Sequence, residues 1–572
     1  MDGPSVHDCV SSRDGEGGGH RALPIAVRAD VHETGQVQHE GTFPGLLDDL
    51  EVQRADPRGC ANGLGKSLET LSRCYEGCIS REVSVNTSSW SECVPKYRLL
   101  TEDQIKEIHC ASLEILETVG VQVFHSEAAR LLDDAGCRKK ENGIFQIPNR
   151  LIEDAIHSVP SRITIYNQVG EEAMRLQGRN VYFGLGTDLV TTCDLETGET
   201  RESTLQDVAN AAKVGDYCED IDFIASFALP HDVPTNTMYL RCVKVMLENS
   251  VKPIFFTAAG KEDLALIIEM AETVAGGEGA LRDRPFLIHY SEPTAPLRHS
   301  HGALNKLFLC AEKQIPICYT PGDMLGGSTP VTLAGGIAQA NAEALSGILL
   351  HQLKNKGAPI ISGFALAELD MKTSSFSYGG PGFRLTNSAF ADLYHYYEIP
   401  MWSTVGSDAH LLDEQAGIEH AIATLMASLD GANLIHDLGY LGQGLLGNPA
   451  AIVMSDEIIN YVKRVLRGFD ITRQTLAIDV IGDVGPGGEF LSTDHTYDHF
   501  REEQWQPKLM NRDDPDTWMG KGKRSYGNAL TQKAREILAT HQAKPLPGNV
   551  QKQIDSIADR AERALEGMAF EA

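Results

Sequence analysis

Between residues 206 and 460 short apolar runs alternate with helical patterns, and no other feature of the chain narrows its possible folds so far. The strand candidates are 222–229, 253–258, 285–291, 315–321, 359–365, 399–405, 432–438 and 451–454, with the clearest helical patterns at 333–354 and 414–428. Strands apolar along both faces belong to parallel sheets covered by helices. Eight of them predict an α/β fold, a (β/α)8 TIM barrel, whose chemistry sits where the strands end. A doubly wound open sheet is the alternative, and the eighth run, the shortest, decides between the two.

The flanks read differently. Residues 1–95 carry Gly-rich runs, isolated charges and little periodicity, and are expected to form a poorly ordered N-terminal extension. At Thr101 a capping box with Gln104 opens a helix, and helices and short strands then alternate with turns up to 205. This predicts a small α+β subdomain over 96–205, ahead of the barrel at 206–460. A mainly helical region follows over 461–572, most clearly amphipathic at 471–484 and 549–568.

Charge excludes some functions. Lys and Arg number 50 against 79 Asp and Glu, a net charge of −29, which repels nucleic acid and anionic membrane alike. No apolar run has the length of a membrane span, and Met1–Ser12 lacks the basic and apolar segments of a signal peptide. Twelve scattered cysteines without a Cys-x-x-Cys pair fit a reduced, cytoplasmic protein.

Polar residues gather at the predicted strand ends. They include Pro230-His231-Asp232, His289-Tyr290-Ser291-Glu292, Tyr319-Thr320-Pro321-Gly322-Asp323, Ser407-Asp408-Ala409-His410 and His436-Asp437. One such end means little, whereas several together favour an active mouth. Tyr290, Tyr319, Phe376, Tyr378 and Trp402 add aromatic faces there, which attract quaternary ammonium through cation–π contact. Asp188, Asp323, Asp370 or Asp408 can supply a negative charge, and Arg298 and Arg384 can grip a carboxylate. The glycine-rich loop 321–330 allows a bulky partner to approach the main chain.

Other motifs carry less. Gly442-Gln-Gly444-Leu-Leu-Gly447 matches a dinucleotide fingerprint, but that site needs a helix to open at once, and Asn448-Pro449 and a strand-like apolar run follow instead. His299-Ser-His301 opens a helix, where i and i+2 diverge, so a structural or capping role is expected. No metal site is expected, and no nucleophile elbow, phosphate-binding loop or zinc-binding His-Glu-x-x-His is present.

From Tyr97 to Gln542 the chain resembles the trimethylamine methyltransferase family of corrinoid-dependent methyltransferases. The resemblance rests on pieces in family order, among them Lys96-Tyr-Arg-Leu-Leu-Thr-Glu-Asp-Gln-Ile, Ser328-Thr-Pro-Val-Thr-Leu-Ala-Gly, Phe376-Ser-Tyr-Gly, Ser407-Asp-Ala, Gly431-Ala-Asn and Val484-Gly-Pro-Gly-Gly-Glu-Phe-Leu. It implies a TIM barrel that moves a methyl group from a methylated amine to the cobalt of a small corrinoid (cobalamin) protein. The archaeal trimethylamine enzymes carry pyrrolysine just before Ser-Asp-Ala, and here that position is Gly406. The chain therefore looks like the branch without pyrrolysine, which includes glycine betaine methyltransferases. His410 stands where many relatives have Lys, and Gly382 with Arg384 replaces a different pattern after Tyr378-Gly-Gly-Pro.

A quaternary ammonium already bears the charge that makes its nitrogen a leaving group, whereas a tertiary amine needs a special electrophile. The expected function is methyl transfer from a quaternary amine, glycine betaine or a related compound, to the Co(I) of a corrinoid protein. Tyr290, Phe376, Tyr378 and Trp402 would hold the cation and Arg384 a carboxylate. Gly406, Asp408 and His410 would form the catalytic side, with Gly326, Gly327 and Ser328 facing the corrinoid. The partners are a corrinoid-binding protein and, in a homo-oligomer, further copies of the chain. The alternatives are a tertiary amine, a sulfonium or another methylated donor in the same fold, or a protein that binds its ligand without turnover.

Overall fold

The computed structural model describes residues 92–568. The expected N-terminal extension lies outside them except at 92–95, where Glu92–Cys93 pair antiparallel with Phe469–Asp470. The helix Glu102–Thr118 starts as its sequence dictates, with the Thr101 hydroxyl and the Gln104 side chain exchanging main-chain bonds in a capping box. Farther on, Thr191–Cys193 and Thr200–Glu202 form a hairpin whose turn is fixed by Asp194 Oδ1, acceptor for the N–H groups of Glu196 and Thr197.

The fold is mixed α/β, with a helical C-terminal region. Its central strands are β1 (Tyr182–Leu185), β2 (Ile254–Phe256), β3 (Leu287–Ser291), β4 (Ile317–Tyr319), β5 (Ile360–Ser362), β6 (Trp402–Thr404) and β7 (Leu434–Leu438). All their mutual pairings are parallel: β2 to β3, β3 to β4, β4 to β5, and β6 to β7. A Ser362–Met401 bridge joins β5 to β6, and β7 pairs with β1. Parallel bridges Gly184–Phe223 and Ile224–Ile254 insert one more segment between β1 and β2. The circuit of parallel pairs thus returns to β1.

Helices follow these strands in turn: α1 (Leu205–Tyr217), α2 (Met238–Asn249), α3 (Lys261–Ala275), α4 (His301–Lys313), α5 (Leu333–Lys354), α6 (Pro381–Tyr397), α7 (Glu414–Asp430) and α8 (Pro449–Arg467). Helix α5 is buried around most of its circumference, which explains its run of Ala, Gly and Leu in place of a polar face. Bulky rings fill the space within the circuit. A Cβ on Gly184 would lie 2.1 Å from the Phe223 ring, so only glycine lets that ring cross β1.

Two sequence expectations change here. Residues 451–454 are not a strand; they lie in α8, where the Asn448 side chain accepts from Ala450 N–H and Pro449 takes the first helical position. Four apolar residues cannot distinguish a strand from a buried turn of helix, but Asn-Pro ahead of them could. The first strand of the circuit is instead β1, upstream of residue 206. Nor does a strand follow Gly442–Gly447, because the helix α8 opens at Pro449. Yet Tyr440–Leu441 and Leu446–Gly447 pair as a tight antiparallel turn, and a Cβ on Gly447 would meet Phe227 at 2.8 Å. The glycines admit side chains of their own chain.

Candidate active site at the strand ends

The site begins within β3, β6 and β7, where Trp402 opens β6, and continues into the loops beyond them. Tyr290 on β3 stacks on Trp402 of β6 with ring centroids 5.9 Å apart and 28° between planes. His436 of β7 lies 5.9 Å from each of these rings and 4.4 Å from Phe255. Among the described residues, Trp402 Nε1 and His436 Nε2 have no hydrogen-bond partner although both side chains are buried. His436 Nδ1 is 2.8 Å from Asp437 Oδ1 but lacks hydrogen-bond geometry. Buried polar atoms are rarely left so, which marks this floor as a place for water or ligand.

Above the floor stands Glu292, whose carboxylate accepts the Tyr290 hydroxyl. Its side chain is accessible to a water-sized sphere, yet protein surrounds it closely enough that burial raises its pKa. Glu292 therefore faces an internal cleft. Asp437 and Asp188 raise the pKa further, and Lys306 opposes them. Asp188 accepts from Ser226 Oγ at 3.2 Å and from Thr257 Oγ1 at 3.0 Å. Burial outweighs those bonds and lifts its pKa to about 6. Asp437 accepts from Thr404 Oγ1.

The loop after β5 supplies the second aromatic pair, Phe376 and Tyr378, with centroids 5.1 Å apart. Tyr378 is clasped by glycines: a Cβ on Gly406 would lie 2.7 Å from its Cδ1, and one on Gly444 would lie 2.9 Å from its Cε2. Asp408 holds this loop, with Oδ1 accepting Tyr378 N–H at 2.7 Å and Oδ2 accepting Ser377 Oγ at 2.7 Å and Gly379 N–H at 3.1 Å. Glu419 of α7 in turn accepts from Ser407 Oγ at 2.6 Å and Asp408 N–H at 2.8 Å.

The four expected aromatic residues are thus brought together as two pairs, Tyr290 with Trp402 and Phe376 with Tyr378. Asp408 anchors a loop, and His410 is exposed beside Gly442. Arg384 on α6 is buried, its Nη1 donating to Thr404 O at 3.0 Å and its Nη2 to Tyr378 O at 3.3 Å. Burial lowers its pKa to about 10. Gly326 and Gly327 are exposed in a turn closed by N–H bonds to Met324 O and Thr329 O. Ser328 is the donor to Asp323 Oδ1 at 2.6 Å. Asp323 and its neighbour Glu343 are both pushed up by burial, to about 6 and about 8.

Glu292, Glu419 and Tyr440 were given no individual role from the sequence, although Glu292 stood among the polar strand ends. Tyr440 donates to Thr187 O and accepts Thr187 N–H at 2.7 Å, fixing the turn that carries Asp188. For Glu292 the available signal was its place two residues beyond Tyr290 on one strand end.

The family model for trimethylamine methyltransferase (MTTB) matches residues 77–566. The chain belongs to the trimethylamine methyltransferase (MTTB) family. The match begins before Tyr97 and so takes in part of the segment that the sequence left outside the resemblance. One MTTB relative, the trimethylamine methyltransferase MttB of Desulfitobacterium hafniense (strain DSM 10664 / DCB-2), is 32% identical over 464 residues, covering 81% of this chain and 93% of its own. The glycine betaine methyltransferase of Desulfitobacterium hafniense (strain Y51) is 30% identical over 481 residues, covering 83% and 99%. Among solved structures, the Methanosarcina barkeri monomethylamine methyltransferase aligns over 83% of this chain and 90% of its own, at 10% identity and a TM-score of 0.43. This MTTB-family chain is a methyltransferase, as are those relatives. No described helix is long and apolar enough to cross a membrane.

Proposed function

We propose that the chain moves a methyl group from a quaternary amine, glycine betaine or a related compound, to the Co(I) of a corrinoid carried by a small partner protein. The observation that carries this reading is the seating of Tyr378 against Gly406. Where the resemblance puts pyrrolysine in trimethylamine enzymes, this chain has no side chain, and an aromatic ring takes up the adjoining space. A ring can hold a fixed positive charge, but it cannot activate a neutral amine.

The step needs no acid or base. The C–N bond breaks with its electron pair leaving on nitrogen, the Co(I) electron pair forms the Co–C bond, and cobalt rises formally from +1 to +3. A neutral tertiary amine departs. The protein's task is to desolvate the ammonium and aim one methyl at the acceptor. Tyr290, Trp402, Phe376 and Tyr378 would surround the cation, with Gly406, Asp408 and His410 on the acceptor side. The exposed turn at Gly326, Gly327 and Ser328 would meet the corrinoid partner. The circuit of parallel pairs supports a (β/α)8 barrel for this scaffold, with β1 contributed from within 96–205 and the helical region 461–572 following it. The free cysteines among the described residues support a cytoplasmic setting. A row of exposed apolar residues, Ile471, Leu476, Ile478, Ile481 and Leu491, supports a homo-oligomer.

The test is the visible spectrum of Co(I) cobalamin mixed with the protein and a methyl donor. Methylated cobalamin with an equal amount of dimethylglycine from glycine betaine is the expected result. Activity only with a tertiary amine or a sulfonium would discard the quaternary reading.

A further inference from the structure

The charge of the cleft distinguishes among quaternary amines. We propose that Glu292 is the anionic contact for the donor's positive head, and that among quaternary amines the cleft prefers donors of net positive charge, glycine betaine being a weaker donor in the same reaction. This rests on the methyl-transfer reading and narrows it.

Glu292 stands on β3's end with the Tyr290 hydroxyl bonded to it, so the carboxylate and the face of the Tyr290–Trp402 pair belong to one wall. Asp188 from the β1 end and Asp437 on β7 act on the same carboxylate, so negative groups converge from separate strands. Independently, the buried rings of Trp402 and His436, both packed on Tyr290, keep nitrogens without partners among the described residues. A floor of unpartnered N–H-bearing rings under a carboxylate is the outline of a ligand seat rather than of closed packing.

The cationic side chains near this cleft are held by main-chain carbonyls through their terminal nitrogens, although Arg384 Nε has no partner among the described residues. Arg384 serves Thr404 O and Tyr378 O from behind the loop, and Lys306 Nζ donates to Ala258 O at 3.0 Å. A donor's carboxylate would enter among Glu292, Asp188 and Asp437, while the nearby arginine forks are tied to main-chain carbonyls, Arg384 at Thr404 and Tyr378 and Arg298 at Ala295. A cation without a carboxylate meets attraction from all three.

The experiment is calorimetric titration of the full chain with tetramethylammonium chloride and with glycine betaine, for the wild type, Glu292→Gln and Glu292→Asp. The wild type is expected to bind tetramethylammonium about tenfold or more tightly than glycine betaine, given the strength of charge contacts in a desolvated cleft. Glu292→Gln should weaken tetramethylammonium binding by about tenfold and narrow the preference, while Glu292→Asp keeps its sense. Tighter binding of glycine betaine by the wild type, an unchanged tetramethylammonium affinity in Glu292→Gln, or no binding of either compound would overturn the proposal. Thermal melts check each variant's fold, and the wild-type comparison stands even if one variant does not fold. The same samples mixed with Co(I) cobalamin separate the two readings. Cobalamin methylation with no charge preference sinks this inference alone. Glu292-dependent binding without methylation from any donor sinks the methyl-transfer reading and leaves the cation seat.

Discussion

The main-chain N–H of Tyr378 donates to Asp408 Oδ1 at 2.7 Å, tying the loop after β5 to the turn after β6. Ser377 Oγ and Gly379 N–H share the other oxygen. Both oxygens of the carboxylate therefore face donors, and an amide nitrogen in place of either would meet an N–H that cannot accept, Tyr378's at Oδ1 or Gly379's at Oδ2. Asp408→Asn is expected to lower stability by about 1.5–3 kcal/mol, the usual worth of a hydrogen bond to a charged group. It should also raise the KM for the methyl donor more than it lowers kcat, because Tyr378 shifts while the reacting atoms keep their chemistry. Chemical denaturation and steady-state kinetics measure the two effects. An abolished kcat with unchanged donor binding would instead return Asp408 to the catalytic role that its position in the sequence suggested.

Gly406 admits the Tyr378 ring. The methyl of Gly406→Ala would sit 2.7 Å from Tyr378 Cδ1, and Gly444 closes the ring's other side. With nowhere to yield, the substitution should cost about 1–3 kcal/mol by overpacking and weaken donor binding along with it. Gly417→Ala is the control: its added methyl meets nothing within 4 Å in the first turn of α7, so it should stabilise by about 0.5 kcal/mol. Equal melting temperatures for Gly406→Ala and the wild type would show that the ring has room to move.

Much of this was legible from residue order alone. The apolar runs that became β2 to β7 were visible because strands buried on both faces need no alternation. The capping box at Thr101 was visible because its chemistry is local. What escaped was whatever depended on distant contacts. β1 looked like part of a neighbouring meander, since nothing in Tyr182–Leu185 announces its pairing with Leu434–Leu438. Asp408 and Arg384 were read by residue type, as part of the catalytic side and as a carboxylate grip, whereas the bonds they make, Asp408 to Tyr378 N–H, Gly379 N–H and Ser377 Oγ and Arg384 to two main-chain carbonyls, follow from no sequence pattern. Glu292 hid among many acids at strand ends, and only the internal cleft around it sets it apart.

Asp188 should make stability fall as pH rises. Its pKa in the folded protein is about 6, against 3.8 for the free side chain, because burial disfavours the charge more than Ser226 and Thr257 relieve it. Between those values the folded state holds more protons than the unfolded chain, so each rise in pH costs stability until the group is fully ionised above about pH 6. A shift of this size corresponds to about 3 kcal/mol across the window. Asp188→Asn removes the titration. The wild type minus variant difference should therefore decline between pH 4 and 7 and stay flat above. Denaturant melts of both proteins over that range measure it, and a flat difference throughout would mean that the carboxyl is solvated in the folded protein.

The segment after α8 predicts self-association. From Phe469 to Leu491 it presents Phe469, Ile471, Leu476, Ile478, Ile481 and Leu491 to solvent, the last 85% exposed, and its helices Arg473–Leu476 and Ile478–Val484 bury no residue of their own. Helices that short hold little stability in water without a partner surface. A second copy of the chain fits best. A corrinoid protein meeting the strand ends would need the cleft side, whereas this segment is tied at its base to Glu92–Cys93, away from Tyr378 in sequence and pairing. Light scattering should give a multiple of the 62.3 kDa chain mass. Ile478→Ser combined with Ile481→Ser should lower that mass and leave the far-ultraviolet circular dichroism nearly unchanged, because neither side chain supports its own core. A single-chain mass for the wild type at micromolar concentration would leave the apolar row without this explanation. An unchanged oligomer in the double variant would place the interface elsewhere.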